Sequence, residues 1–105
     1  MKNRIKALAK ELAPAFIDIR HHIHSHPELS FQEYETSKFI QQKLDEFGVS
    51  YQAGIAGTGI VATIEGKHPS SKTIAIRADI DALPITEANN VPYKSKNEGV
   101  MHACG

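Results

Sequence analysis

The chain has 105 residues, 41% hydrophobic and 23% charged, with twelve Lys and Arg balancing twelve Asp and Glu. That length suits one domain with a packed core, and zero net charge leaves no summed field to draw in nucleic acid or an anionic membrane. A lone cysteine excludes an internal disulfide and fits a reducing compartment, and no apolar run reaches the roughly 18 residues of a membrane span, so the chain reads as soluble and cytoplasmic.

Ile5, Leu8, Ala9, Leu12, Phe16, Ile19 and Ile23 recur at three- and four-residue spacing and predict a long amphipathic helix. Pro14 lies inside that pattern, so the helix either kinks there or is two shorter helices, and His26-Pro27 ends it. Its last turns carry His21, His22, His24 and His26. Ile23 stands after His22 where a zincin helix has Glu. They therefore read as histidines that line a surface, cap the helix or hold a loop. Ser30 and Glu33 have capping-box spacing and predict the start of a second helix, with Thr36, Phe39, Ile40, Leu44 and Phe47 on its apolar face and Gly48 closing it.

After Gly48 the period falls to two, predicting strands over 49–53 and 60–65 joined by the glycine-rich turn 54–59. Those glycines lie between strands and no lysine follows, which argues against a phosphate loop. Residues 72–80 read as a central strand of a covered sheet, with Ile74, Ile76, Ala78 and Ile80 on one face and Thr73, Ala75, Arg77 and Asp79 on the other. Asp79 and Asp81 then share a side at its C-terminal end, where open α/β sheets place ligands. They are candidates to bind a metal or orient its ligands, and equally to cap the next turn or pair with Arg77. The stretch 86–98 is polar and aperiodic, and its length suits the rim of a site. His102 and Cys104 follow, an imidazole and a thiol that suit a borderline-soft cation such as zinc, with a buried structural cysteine as the alternative.

Arg77-Ala78-Asp79-Ile80-Asp81-Ala82-Leu83-Pro84-Ile85, followed by Met101-His102-Ala103-Cys104-Gly105, resembles the amidohydrolase branch of the M20 metallopeptidase family. His24-Ser25-His26-Pro27-Glu28-Leu29-Ser30 and Gly57-Thr58-Gly59-Ile60 match that branch in order and approximate spacing. The resemblance implies an α/β fold: the N-terminal part of a zinc-peptidase-like catalytic domain, two long helices followed by a mixed sheet. Residues 1–105 would be a partial catalytic domain, lacking its remainder and a smaller dimerisation domain. It also implies a cofactor of two divalent metal ions, zinc, manganese or cobalt, and cleavage of the amide bond of N-acyl amino acids by a metal-activated water. Cys104 matches the family's cysteine ligand. Asp79 falls near a histidine ligand of other M20 branches and is carried over as a metal residue. Asp81 is carried over as a catalytic, supporting carboxylate, and His102 belongs to the motif without an assigned role.

The other metal ligands and the glutamate general base are expected beyond residue 105, so the 105-residue piece by itself is expected to be inactive. The complete enzyme is expected to be a homo-oligomer acting on a small-molecule substrate, with no nucleic-acid or membrane partner. Two rival readings stand beside it: a non-catalytic interaction domain indifferent to Cys104, and a thiol hydrolase using Cys104 as nucleophile with His102 as base.

Overall fold

The computed structural model describes residues 1–104; Gly105 of the cysteine motif lies outside them. Helix α1 (Lys2–Ser25) is a single 24-residue helix that runs through Pro14. Ala7, Ala9, Ala13 and Ala15 around the proline are the best helix formers, and they keep the helix continuous despite the lost backbone donor. It ends where the His26 amide turns back to the Ile23 carbonyl (3.2 Å) and Pro27 is buried. The apolar stripe is present, but its N-terminal half is open: Ile5, Leu8, Leu12 and Phe16 are 44–59% exposed. Among the described residues no helix is long and apolar enough to cross a membrane.

Helix α2 (Tyr34–Glu46) begins later than the capping box predicted, with Glu33 at its N-cap and no side-chain cap bond from that residue. The reason is Phe31, whose positive φ of 64° swings the chain so that the Glu33 carboxylate accepts the Phe31 amide (2.6 Å) and the Thr58 hydroxyl (2.5 Å). Glu28 takes over the capping, accepting from the amides of Glu35 (3.2 Å) and Thr36 (2.6 Å) and from the Thr36 hydroxyl. A negative charge is favoured there because the first amides of a helix have no partners of their own. The other end follows expectation: Gly48 (φ 68°) bonds back to the Asp45 carbonyl and Val49 to that of Leu44, a Schellman closure.

Strands β1 (Ser50–Ile55) and β2 (Gly59–Thr63) form an antiparallel hairpin with a register irregularity between Ala53 and Ile55. Gly59 is required there, since a Cβ at that position would stand 2.6 Å from the Ile55 carbonyl oxygen. The two helices and the following sheet agree with the predicted order. The central strand predicted over 72–80 does not form. A strand is defined by the partner it bonds to, and none of the described residues supplies one, which leaves Ile74 and Ile76 87% and 92% exposed. Pairing resumes just beyond, and it is mixed: Ala82 bridges Leu29 in parallel and Leu83 bridges Met101 antiparallel. Ala82 is 2% exposed, and the buried polar residues include Ser25, Glu33, Thr36, Ser37, Thr58 and Glu87.

Candidate functional site

The site is assembled by the crossing at residues 82–83. The Ala82 amide donates to the Glu28 carbonyl (2.8 Å), while Leu83 exchanges two bonds with Met101 (2.9 and 3.0 Å). The segment carrying Asp79 and Asp81 is thereby laid against the segment carrying His102 and Cys104. If that register is extended, Cys104 falls opposite Ile80, between the two aspartates.

Cys104 is a free, exposed thiol. It lines a cavity of about 780 Å³ together with Asp79, His24, Glu87, Tyr93 and His102. Asp79 and Cys104 are therefore brought to one cavity. Asp81 lies apart from it, lining a hollow of about 310 Å³ that it shares with Asp79, Arg77, Glu33 and Thr58. Asp79 and Asp81 both line this second hollow, but so do Arg77, Ala78 and Ile80, so the predicted alternation of sides does not separate them. Asp79 is also held by Arg77 at 2.8 Å, the pairing the sequence left open, and both partners are largely exposed. An ion pair so exposed contributes only about 0–1 kcal/mol, so Asp79 can exchange this partner for another cation at small cost.

His102 lines the larger cavity and is influenced by Asp81. Burial pushes its imidazole below the usual histidine pKa, and the neighbouring His24 adds to this, while the carboxylate and backbone of Asp81 act in the opposite direction. Its Nε2 is buried and finds no hydrogen-bond partner among the described residues.

Sequence reasoning missed Glu87. Its side chain is 1% exposed, and it accepts from His24 Nε2 at 3.1 Å, from the Ser95 amide at 2.7 Å and from the Asn89 side chain at 3.2 Å. An ionised carboxylate can only accept, so His24 is the donor. The Ser95 amide, with help from His24 and Asn89, overcomes burial and pulls the Glu87 pKa down to about 2. No spacing rule could have found a pair 63 residues apart. The remaining histidines hold structure as predicted: His21 stacks on Tyr93 (3.7 Å), His22 on Phe39 (4.0 Å), and the His26 ring donates to the His22 carbonyl.

A free thiol and a carboxylate on one cavity wall are donors of the kind a borderline-soft divalent ion takes, and His102 lines the same cavity. They fit one side of a metal centre. Among the described residues no group of three potential ligands closes it.

Residues 75–105 match the model of peptidase family M20/M25/M40. The chain is 52% identical over 95 residues to hippurate hydrolase of Campylobacter jejuni, covering 90% of this chain and 24% of the relative. It is 46% identical over 104 residues to N-acyl-L-amino acid amidohydrolase of Geobacillus stearothermophilus, covering 99% and 28%. Its fold superposes, with a TM-score of 0.83 and 47% identity, on the Bacillus subtilis YXEP protein, a dinuclear metal-binding peptidase of the M20 family, covering 90% of this chain and 27% of that one. The chain thus spans about a quarter of the length of the curated relatives it matches. Over the length it spans, and with both of its motifs paired at one crossing, the chain is similar to members of peptidase family M20/M25/M40.

Proposed function

We propose that residues 1–105 are part of the catalytic domain of a metal-dependent amidohydrolase that cleaves the amide bond of N-acyl amino acids. The observation that carries this reading is the Leu83–Met101 pairing, which lays the segment carrying the two aspartates beside the cysteine segment, with Asp79 and Cys104 on one cavity. Cys104 would hold metal through its thiolate. Asp79 would join it on releasing Arg77, and Asp81 would support the centre from behind through His102. Further ligands and a general base would come from the part of the relatives' length that this chain does not span, so residues 1–105 alone would hydrolyse nothing. A pair of divalent ions, when bound, acidifies water and polarises the scissile carbonyl. The chain's own residues hold the donors in place and keep one wall of the cavity apolar through Phe16, Ile19 and Ile23.

Zinc, manganese and cobalt all suit a donor set of this kind. The free cysteine supports a reducing compartment such as the cytoplasm. The open face of α1 leaves room for further chain or a second subunit, which supports a homo-oligomer.

The test is hydrolysis of hippurate and N-acetyl amino acids by the protein at its relatives' full length. Activity is expected to vanish with a chelator, to return with zinc, manganese or cobalt, and to be lost in Cys104→Ser. Activity that survives chelation but dies on thiol alkylation would replace this reading with a cysteine nucleophile assisted by His102. A Cys104→Ser protein with its function intact would point to an interaction domain.

A further inference from the structure

Glu87 belongs to no motif, yet it is among the most completely bonded side chains of the molecule. A carboxylate on a side chain 1% exposed needs its charge answered, and His24 from the last turn of α1 answers it. From Glu87 an unbroken chain of hydrogen bonds runs to the cysteine segment. The Ser95 amide donates to Glu87 (2.7 Å), the Ser95 hydroxyl donates to the Val100 carbonyl (2.7 Å), and Met101 next in sequence is locked to Leu83. The stretch 86–98 has other ties to α1: the Lys96 amide reaches the Ser25 carbonyl (3.0 Å), and His21 stacks on Tyr93. Those ties hold the loop to the helix. The Glu87–Ser95–Val100 path is the one that reaches the segment leading to Cys104.

We infer that His24 and Glu87 are positioning residues that act through Ser95 to fix the 101–104 segment, and with it the place of the Cys104 thiol in the cavity. They are neither ligands nor acid–base groups. The inference rests on the reading of Cys104 as a metal ligand and deepens it. Groups that orient a ligand from behind commonly alter metal affinity about 10–100-fold when removed.

The test uses the protein at its relatives' full length, as wild type, Glu87→Gln and Ser95→Ala. Cobalt(II) alone is titrated into metal-free protein and followed by the thiolate-to-cobalt charge-transfer band. The alkylation rate of Cys104 in metal-free protein is followed by peptide mass spectrometry. Both variants are expected to bind cobalt about tenfold more weakly and to alkylate several-fold faster. Ser95→Ala keeps the Ser95 amide bond to Glu87 and removes only the hydroxyl, so it tests the path even if Glu87→Gln fails to fold. Wild-type affinity and alkylation rate in Ser95→Ala would overturn the inference. A wild type that binds cobalt without the thiolate band would instead overturn the ligand role of Cys104, and the alkylation rates would still decide whether these residues fix the segment.

Discussion

Replacing Glu33 with alanine is expected to cost about 3–4 kcal/mol, a large share of the roughly 5–15 kcal/mol that holds a domain folded. Glu33 is 5% exposed, and its two oxygens accept the Phe31 amide (2.6 Å) and the hydroxyl of Thr58, itself 8% exposed. A hydrogen bond to a charged group contributes about 1.5–3 kcal/mol, and a buried donor left without an acceptor costs about 1–3 kcal/mol. Thr58→Val removes one of the two bonds at nearly constant volume and should cost about 1.5–2 kcal/mol on the same scale. In the double variant the valine that replaces Thr58 needs no acceptor, so the total should stay close to that of Glu33→Ala. Urea unfolding of the four proteins, with linear extrapolation, gives the coupling, expected at about 1.5–2 kcal/mol. If the two single losses add to within about 0.5 kcal/mol, the carboxylate and hydroxyl do not share one buried bond and the reasoning fails.

Phe31→Gly removes a left-handed residue whose strain is about 1–2 kcal/mol, and the Phe31 ring is 75% exposed, so thermal melting should rank this glycine variant above wild type and Phe31→Val below it. A Phe31→Val protein as stable as wild type would contradict the strain. Gly59→Ala pushes a methyl against the Ile55 carbonyl oxygen at 2.6 Å and should lower stability by about 1–3 kcal/mol, read from the melting temperature. Glu87 has its pKa depressed from the usual 4.5 to about 2, so its stabilisation is complete above pH 4.5 and fades as pH falls toward 2. The stability deficit of Glu87→Gln, followed by urea unfolding against pH, should therefore shrink across that window, and a constant deficit would count against the shift.

Local chemistry was readable from the residues wherever it stayed local. Apolar spacing located both helices, Gly48 marked the end of α2, and the alternation after it located the hairpin. Ser30 and Glu33 misled because a capping box assumes ordinary backbone angles between them, and Phe31 breaks that assumption at φ 64°. The alternation over 72–80 described what a strand's side chains would look like, but a strand forms only against a partner, and alternation cannot name one. The His24–Glu87 pair was invisible for a related reason: its energy comes from mutual burial of residues that no short spacing connects.

The candidate site turns on the same distinction. Taken singly, an acidic pair at a strand end and a cysteine two residues after a histidine are weak signals. The crossing makes them one arrangement. Ala82 is held by the Glu28 carbonyl on one edge and Leu83 by Met101 on the other, in opposite senses, so neither residue can slide without breaking bonds on both sides. A bulkier side chain at position 82, which is 2% exposed, would force Leu29 away and shift Asp81 with it. The position of the acids is thus set by the loop before α2 as much as by their own segment. That is a physical reason for the segments around His24–Ser30, Gly57–Ile60, Arg77–Ile85 and the cysteine to occur together in one sequence: Glu28, Thr58, Ala82 and Met101 are parts of one clamp.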